Sequence, residues 1–307
     1  MIEVRDVGLV GGGFVGATHA KVLQDRGAKV KVYDVNKKYF LNWPESWALP
    51  AVKPLKEVAN CDVVIVSVPT PPVGYTPDGI CLECDTKYAD ETIEKISNLT
   101  KKKKQPVILK STVPVGYTKK LNKIFENLQI FFSPEFLTEA TPLEDLKNPD
   151  RIVFGTESLL SEWTEEDAKA FYVVDTIQEN GCQTVICSTT EAEMIKLGSN
   201  SFLATKVIYA NMLYKLCEAH GANYDKVKVG IGADKRIGEH HMIVPGPDGH
   251  FGYSKSCFPK DVANLGGCFL DKFLYDAAAF LNLIEDMNIS YRKNTDWVNN
   301  EYRKKNN

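Results

Sequence analysis

The residues with the clearest chemical potential lie at opposite ends of the chain. Residues 256–261 read SCFPKD and place Cys257 four positions before a carboxylate, in a loop rich in Gly and Pro. Near the N-terminus, Gly11, Gly13 and Gly16 form a GxGxxG fingerprint, which is typical of a dinucleotide site. A thiol close to a nicotinamide could trap an aldehyde as a thiohemiacetal, which a second hydride transfer would oxidise to a thioester.

The fingerprint stands in the context that a dinucleotide site requires. It follows an apolar run, opens a helical pattern and precedes Asp34, an acid at the end of a second predicted strand. Asp34 should accept hydrogen bonds from the adenosine ribose, and its charge repels a 2′-phosphate, so we expect NAD. Lys37 and Lys38 follow closely and leave NADP open as the alternative. The predicted cofactor loop consists of Gly11, Gly13, Phe14, Val15 and Gly16.

Strand and helix patterns alternate along the chain up to about residue 190. Short apolar runs predict strands that are buried on both faces, with helices between them. This alternation predicts an α/β fold with a Rossmann-like, doubly wound parallel sheet. The predicted strands are 4–10, 29–33, 61–68, 107–109, 130–132, 152–154 and 184–187, and the predicted helices are 17–24, 117–126 and 165–179.

The pattern changes near Thr190. Residues 191–219 lack Pro and carry apolar residues at helical spacing, which predicts a helix of about 40 Å. Further helical patterns run from about 261 to 303. We expect an NAD-binding Rossmann domain at 1–190 and a mostly α-helical dimerisation domain at 191–307, which carries the Cys257 loop. The homodimer is expected because the residues after the long helix are too few to cover all of its apolar sides.

Composition argues against several classes of protein. The 307 residues carry a formal net charge of −3, so nothing indicates nucleic acid, and the basic block 101–104 is interpreted as a solvated turn rather than a phosphate site. No apolar run approaches the ~20 residues of a membrane helix. Without a signal peptide, the eight cysteines indicate reduced thiols in the cytoplasm. The pairs Cys81, Cys84 and His240, His241 lack further ligands, so no metal site is expected.

A series of motifs follows in a fixed order along nearly the whole chain. They are GGGFVG at 11–16, SVPTPP at 67–72, STVPVG at 111–116, SPEFLTEA at 133–140, NPDRIVFG at 148–155, KLGSNSFLATK at 196–206, DKRIG at 234–238 and SCFPKD at 256–261. Together they resemble the UDP-glucose/GDP-mannose dehydrogenase family. The resemblance implies oxidation of the C6 alcohol of a nucleotide-sugar, with UDP-glucose as the expected substrate, to a carboxylate in two NAD-dependent steps.

The resemblance also implies catalytic roles. Cys257 resembles the nucleophile that forms the thiohemiacetal and the thioester. Lys196 and Asn200 lie four residues apart, hence on one helix face, and resemble the substrate-binding pair that stabilises alkoxide and oxyanion. Asp261 resembles the carboxylate that, together with Thr112, positions the hydrolytic water.

Further residues correspond to family positions around the substrate and the cofactor. Glu135 and Glu139 resemble the acids that flank the site; Glu135 is the favoured general base and substrate contact, and Glu139 is assigned to the cofactor. Thr70 and Ser111 stand where the family touches the cofactor. Arg236 matches an arginine that reaches the sugar site of a neighbouring subunit. The remaining expected substrate contacts, in the loop before the cysteine, are Phe251, Gly252 and Tyr253.

Three features differ from the family pattern. The family normally has a third domain that binds the nucleotide of the substrate, and this chain is expected to end without that domain. The cysteine loop contains the inserted residues 247–250, and Ser254 and Lys255 replace a Gly-Gly pair. Lys255 could contact a substrate phosphate, lower the pKa of Cys257 or face solvent. Ala140 stands where glycine is usual.

Two alternatives to an active dehydrogenase stay open. The chain could be an NAD-binding regulatory protein without turnover, or one subunit of a split dehydrogenase whose nucleotide-binding domain is another chain. The candidate catalytic residues occur together, which favours an active or a split enzyme. Asn211 either reaches the site or stabilises a polar network in the core. The expected partners are the nucleotide-sugar and a second copy of the chain, with neither nucleic acid nor membrane.

Overall fold

The chain divides into two compact units, which are treated separately. The computed structural model describes residues 4–36, 38, 43–138, 141–254, 257–292, 295, 297 and 298. The first unit comprises Met1–Thr70 and Thr86–Lys196, and the second comprises Pro71–Asp85 and Leu197–Asn307. The domain boundary at 190/191 stays a prediction; the compact units differ from it in assigning Pro71–Asp85 to the second unit.

The first unit is built on a seven-stranded sheet. Its strands are β1 Asp6–Val10, β2 Lys29–Tyr33, β3 Val63–Val66, β4 Gln105–Leu109, β5 Leu128–Phe132, β6 Arg151–Gly155 and β7 Gln183–Cys187. They lie in the order β2-β1-β3-β4-β5-β6-β7, and β1 to β5 are parallel to one another. The predicted Rossmann-like α/β fold with a mostly parallel sheet is confirmed.

Helices cover both faces of this sheet. They are α1 Phe14–Asp25, α2 Lys87–Leu99, α3 Tyr117–Ile124, α4 Pro142–Lys147 and α5 Glu165–Asp175. Val64 and Val66 of β3 belong to the core that includes residues of α2 and α3, whereas Val63 and Ile65 belong to the core with α1 and α5. Successive strand residues point to opposite faces, so a strand covered on both sides is apolar throughout.

Strand β6 differs from the predicted parallel arrangement. It pairs antiparallel with β5 at Phe132 and Gly155, and β7 is parallel to β6. The only helix between β5 and β6 in the described residues, α4, has six residues and a length of about 9 Å. A parallel connection needs a crossover that runs back along the strands, usually a helix. Since α4 is shorter than a five-residue strand of roughly 17 Å, it does not provide that return.

The second unit is helical, as the sequence predicts. Its helices are α6 Thr189–His220, which begins in the first unit, α7 Tyr224–Gly232, α8 Cys257–Leu270 and α9 Tyr275–Arg292. Its core joins Ala204 and Ile208 of α6, Val262 of α8 and Leu281 of α9. No helix in the described part of the chain has the length and apolar composition that crossing a membrane requires.

Segment 71–85 belongs to the second unit because of contacts with Trp297. The indole N–H of Trp297 donates to the Gly79 carbonyl at 2.9 Å, and the Trp297 carbonyl accepts from the Tyr75 hydroxyl at 3.4 Å. Trp297 is buried. The indole contact joins residues 218 positions apart, a separation that local sequence patterns do not reveal.

Candidate active site

The glycine loop between β1 and α1 has space where a dinucleotide needs it. Gly11 has a φ of +102°, and a Cβ there would lie 2.5 Å from the Ser67 carbonyl oxygen. A Cβ on Gly16 would lie 1.9 Å from the Gly11 carbonyl oxygen. Only glycine fits these two positions. At Gly13, by contrast, no atom of the described chain lies within 4 Å of a built Cβ, so this side of the loop is open.

The start of α1 can receive an anion. Its N-cap, Gly13, provides no side-chain hydrogen bond, and the first turn contains no acidic residue. The first backbone N–H groups of a helix lack intrahelical partners, and its N-terminus favours negative charge. The pyrophosphate of a dinucleotide would therefore be held here, with Phe14 and Val15 in the first turn.

Asp34 is fixed beside the glycine loop at the end of β2. Its carboxylate accepts the Gly12 N–H at 2.5 Å and the Asn36 N–H at 2.7 Å. Burial raises the pKa of Asp34, and the two backbone hydrogen bonds oppose that rise. Of the two lysines that left NADP open, Lys38 is exposed and Lys37 lies outside the described residues. Together, the loop, the helix start and this acid fit NAD.

Thr70, Ser111 and Thr112 follow the carboxyl ends of β3 and β4. The Thr70 hydroxyl donates to the Thr112 carbonyl and the Ser111 hydroxyl donates to the Val68 carbonyl, both at 2.7 Å. The strand order changes direction at β1, and ligands of such sheets bind outside the carboxyl ends of the strands at this point. The three residues thus lie on the edge where a cofactor binds, while their individual roles stay predictions.

Lys196 and Glu135 are in contact. The Lys196 ammonium donates to the Glu135 carbonyl oxygen at 2.7 Å and lies 4.0 Å from the Oε1 atom of the same residue. It also lies 5.2 Å from the centroid of the Phe136 ring. Lys196 is buried, so this charge is directed at the loop after β5 rather than at solvent. Glu139, the second predicted acid, lies outside the described residues, as does Ala140.

Asp261 is the centre of a buried polar cluster in the second unit. Its Oδ2 atom accepts from Asn200 at 2.5 Å, and its Oδ1 atom accepts from the Lys260 ammonium at 2.6 Å. Burial lowers the pKa of Lys260, but the negative charge of Asp261 beside it outweighs burial and raises that pKa. Lys260 is therefore charged at neutral pH. Sequence reasoning passed over Lys260, although it stands within the SCFPKD motif.

Cys257 is the first residue of α8 and is exposed. A helix N-terminus and a nearby cation both favour a thiolate over a thiol. Lys260 supplies such a cation one helical turn later. Lys255, whose role stayed open, lies outside the described residues together with Ser256.

Two asparagine side chains hold the backbone of the loop before Cys257. The Gly252 N–H donates to Asn211 Oδ1 at 3.1 Å, and Gly252 has a φ of +67°. Asn288 accepts the Tyr253 N–H at 2.7 Å and donates to the Tyr253 carbonyl at 3.1 Å. These contacts support the interpretation of Asn211 as part of a polar network. Substrate binding by Gly252 and Tyr253 stays a prediction.

The inserted residues 247–250 are tied to α9. Asp248 accepts from Arg292 Nη2 at 2.7 Å and from the Ser254 hydroxyl at 3.1 Å. The Arg292 side chain is buried, and its Nη1 atom also donates to the Phe251 carbonyl at 3.3 Å. The insertion thus has a defined place in the second unit, while substrate binding by Phe251 stays a prediction.

Arg236 extends into solvent. Its side chain is 90% exposed, and its Nη2 atom lies 2.6 Å from Asp234 Oδ2. This exposure is compatible with the predicted contact between Arg236 and the sugar site of a neighbouring subunit, and that contact stays a prediction. Within the described ranges, no group of three or more His, Cys, Asp or Glu side chains is arranged to hold a metal ion.

Glu193 is a further residue that sequence reasoning missed. Its carboxylate accepts the Gly116 N–H at 2.5 Å and the Thr118 N–H at 2.8 Å, at the start of α3. Burial raises the pKa of Glu193 to about 7, against these hydrogen bonds. Glu193 therefore ties the STVPVG loop, which contains Thr112, to the helix that carries Lys196. The sequence did contain a sign of this role, because Glu193 is an acid that lies one helical turn before Lys196.

Family models match both parts of the chain. The NAD binding domain of the UDP-glucose/GDP-mannose dehydrogenase family matches residues 45–173, and the central domain of that family matches residues 190–292. The chain belongs to the UDP-glucose/GDP-mannose dehydrogenase family. The NAD binding domain of 6-phosphogluconate dehydrogenase also matches residues 6–76. The first unit is thus an NAD-binding domain, and NAD is its cofactor.

Curated relatives and a solved structure agree with this assignment. UDP-glucose 6-dehydrogenase of Mus musculus is 31% identical over 325 residues, which cover 95% of this chain and 63% of the relative. The enzyme of that name from Rickettsia bellii is 36% identical, with 71% of this chain and 48% of the relative covered. The chain therefore spans less than two thirds of the length of these relatives. A UDP-glucose dehydrogenase structure from Pyrobaculum islandicum superposes with a TM-score of 0.75 at 26% identity, covering 93% of this chain and 68% of that one.

Proposed function

We propose that this protein uses NAD to oxidise the C6 alcohol of a nucleotide-sugar to the carboxylate, through a covalent intermediate on Cys257. The observation that carries the proposal is the position of Cys257 at the start of α8, one turn before the buried Lys260–Asp261 pair. UDP-glucose is the favoured substrate because the Mus musculus and Rickettsia bellii relatives are UDP-glucose 6-dehydrogenases.

Bound NAD would accept a hydride in each of two oxidations. The first oxidation turns the alcohol into an aldehyde, with loss of the hydroxyl proton. The Cys257 thiolate then adds to the aldehyde carbon and forms a C–S bond. Removal of a second hydride from this thiohemiacetal leaves a thioester, which water hydrolyses to the carboxylic acid and the free thiol.

Lys196 and Asn200 are assigned to the oxygen that becomes negative when the thiolate adds. A preorganised cation and an amide donor stabilise such an oxyanion more than they stabilise the neutral substrate. Lys196 is held by the Glu135 carbonyl, and Asn200 is held by Asp261. Both side chains are therefore fixed before substrate binds, which is the condition for this kind of stabilisation.

Glu135, Asp261 and Thr112 are assigned to the hydrolysis of the thioester. Glu135 acts as the general base that takes a proton from the attacking water. Asp261 orients that water together with the Thr112 hydroxyl. Each oxygen of Asp261 already accepts one hydrogen bond, and a carboxylate oxygen has a second lone pair for water.

The test measures NADH and acid formation by the purified protein with UDP-glucose, UDP-N-acetyl sugars, GDP-mannose and hexose phosphates. We expect two NADH per acid with a nucleotide-sugar. Cys257→Ser should stop acid formation with unchanged NAD affinity, because a hydroxyl is a weak nucleophile at neutral pH. Cys268→Ser, on the same helix, is the matched control and should keep activity.

The outcomes separate the alternatives. Acid formation by Cys257→Ser at the original rate contradicts the covalent mechanism. NAD binding without turnover of any of these sugars favours a regulatory protein. Turnover that appears only after a second, nucleotide-binding chain is added identifies a split enzyme.

A further inference from the structure

A cavity of about 220 Å³ lies beside Glu135 within the first unit. It is lined by His19 of α1 and by Lys110, the residue after β4. The exposed residues Thr138 and Asp150 also line it, so solvent can reach the interior. A space of this size has room for several water molecules. No role described above uses His19 or Lys110.

Two buried atoms in this lining lack hydrogen-bond partners among the described residues: His19 Nε2 and Glu135 Oε2. The Nδ1 atom of His19 lies 2.8 Å from the Val15 carbonyl oxygen. Since a carbonyl only accepts, Nδ1 carries the proton and Nε2 is left as an acceptor. Burial, together with the Lys110 charge, holds the pKa of His19 well below its usual value, so the ring is neutral. His19 Nε2 and Glu135 Oε2 are therefore both acceptors that need a hydrogen-bond donor.

The Lys110 ammonium has an N–H group for a further hydrogen bond. Its ammonium donates to the Ser133 carbonyl at 2.9 Å and to the Ser133 hydroxyl at 3.3 Å. An ammonium has three N–H groups, so these two contacts leave one for the cavity. Burial lowers the pKa of Lys110 to about 8, and the Glu135 charge opposes that fall. Lys110 is thus mainly charged at neutral pH.

We propose that ordered water in this cavity links His19, Lys110 and Glu135, and that His19 and Lys110 are positioning residues for Glu135. A water molecule has two donors, and the cavity presents two orphan acceptors. It also accepts two hydrogen bonds, and Lys110 provides an N–H. The inference rests on the proposed role of Glu135 as general base.

This arrangement would fix both oxygens of Glu135. Oε1 lies 4.0 Å from the Lys196 ammonium, and Oε2, which has no hydrogen-bond partner among the described residues, would accept from the cavity water. The Lys110 ammonium also attracts the negatively charged Glu135 side chain, which adds to its positioning. Water leading to the exposed end of the cavity would carry the abstracted proton to solvent.

The other charged groups of the lining have partners or stand at its exposed end. Asp145 accepts from Thr138 at 2.7 Å and from Thr141 at 2.9 Å. The Arg151 guanidinium lies 4.0 Å from the centroid of the Phe136 ring. Asp150 is exposed.

The first test does not depend on activity. A crystal structure of the full chain should show water within hydrogen-bond distance of His19 Nε2 and Glu135 Oε2. Long-range ¹H–¹⁵N spectra should show His19 as the neutral Nδ1–H tautomer even at pH 6.5, the pKa of an ordinary imidazole, and the signal is assigned by its loss in His19→Phe. A dry cavity, or a proton on Nε2, overturns the proposal.

The second test measures how Glu135 works. Lys110→Met should lower kcat for acid formation by roughly tenfold or more with little change in KM. Lys110→Arg should restore part of the rate, and Lys102→Met is the control lysine on another loop. His19→Phe is the second variant, which should lower kcat without removing a charge.

Unchanged kcat in both Lys110→Met and His19→Phe would overturn the positioning role. If the wild-type protein oxidises no nucleotide-sugar, the proposed function is wrong, and the crystal structure and spectra still decide whether the water site exists.

Discussion

At the residue scale, the proposed chemistry includes a buried pair of opposite charges. Lys260 and Asp261 are in contact in the interior of the second unit, and Asn200 takes the other carboxylate oxygen. Removing one member of a buried ion pair costs several kcal/mol because the other is left without compensation. Substitution of Lys260 would therefore disturb Asp261 even if Lys260 never touches substrate.

Asp34 is predicted to set the preference between NAD and NADP. Its carboxylate is held by the Gly12 and Asn36 amides, at the position where a ribose hydroxyl would bind. We expect Kd for NADP to exceed Kd for NAD at least tenfold, and Asp34→Ala to narrow that ratio. Calorimetric titration measures both constants, with Asp271→Ala as an exposed control. Equal affinity of the wild-type protein for the two cofactors would refute the assignment.

Motif spacing can find residues that act directly on ligands, but it cannot find those that support them. Cys257 and the glycines were predicted because their residue types and spacing are tied to a chemistry, and Lys196 was predicted because it lies in a motif that resembles the family. Lys110 and Glu193 were not, because their contacts with Ser133 and Gly116 arise only after the strands and α6 come together. The sequence contains both charges but not their burial.

At the element scale, substitutions in the glycine loop can separate an effect on folding from an effect on NAD binding. Gly16→Ala would place a Cβ 1.9 Å from the Gly11 carbonyl oxygen, so it should destabilise the first unit. Gly13→Ala meets no atom of the described chain within 4 Å and should leave thermal stability nearly unchanged. If Gly13 faces the pyrophosphate, its methyl group should weaken NAD binding by at least tenfold. Unchanged NAD affinity in Gly13→Ala would place the cofactor elsewhere.

Helix α9 contains an acid that should make stability depend on pH. Burial, and after it the Asp286 charge, raises the pKa of Glu285 to about 8 from 4.5. The folded state therefore keeps a proton that the unfolded state loses, and stability falls as pH rises through about 8. The fall due to Glu285 between pH 6 and pH 8 should be roughly 2 kcal/mol.

Glu285→Gln keeps the shape of the protonated acid and should remove that fall. Denaturant unfolding at pH 6 and pH 8 compares the variant with the wild type, and Asp276→Asn is an exposed control on the same helix. The same pH dependence in Glu285→Gln and wild type would show that Glu285 is not the group responsible.

The elements differ in how far the sequence could predict them. Strand β2 was predicted at its observed bounds, since polar and apolar residues alternate along it up to Asp34, and such alternation is typical of a strand. The direction of β6 could not be read, because buried parallel and antiparallel strands share one apolar pattern. Helix α2 was missed although Ala89, Ile93 and Ile96 are buried at helical spacing.

At the scale of the whole molecule, the second unit has an apolar face that nothing in the described chain covers. Phe202, Tyr209 and Leu216 of α6 are 72%, 54% and 55% exposed. They recur every seven residues, close to two helical turns, and so form one stripe with a drift of about 20° per repeat. Stripes of large exposed apolar side chains mark interaction sites.

We predict a homodimer through this stripe, in keeping with the expected role of the second domain. In a two-fold symmetric dimer each substitution acts twice. Burying one large apolar side chain contributes about 1.5–3 kcal/mol, so Phe202→Glu should weaken dimerisation by on the order of 100-fold or more. Sedimentation at micromolar concentration should show a wild-type dimer and a monomeric Phe202→Glu. Phe273→Glu, which alters an exposed phenylalanine outside α6, should remain dimeric. A Phe202→Glu dimer of unchanged affinity would exclude this interface. A monomeric wild type would exclude it too and would leave Arg236 without a neighbouring sugar site.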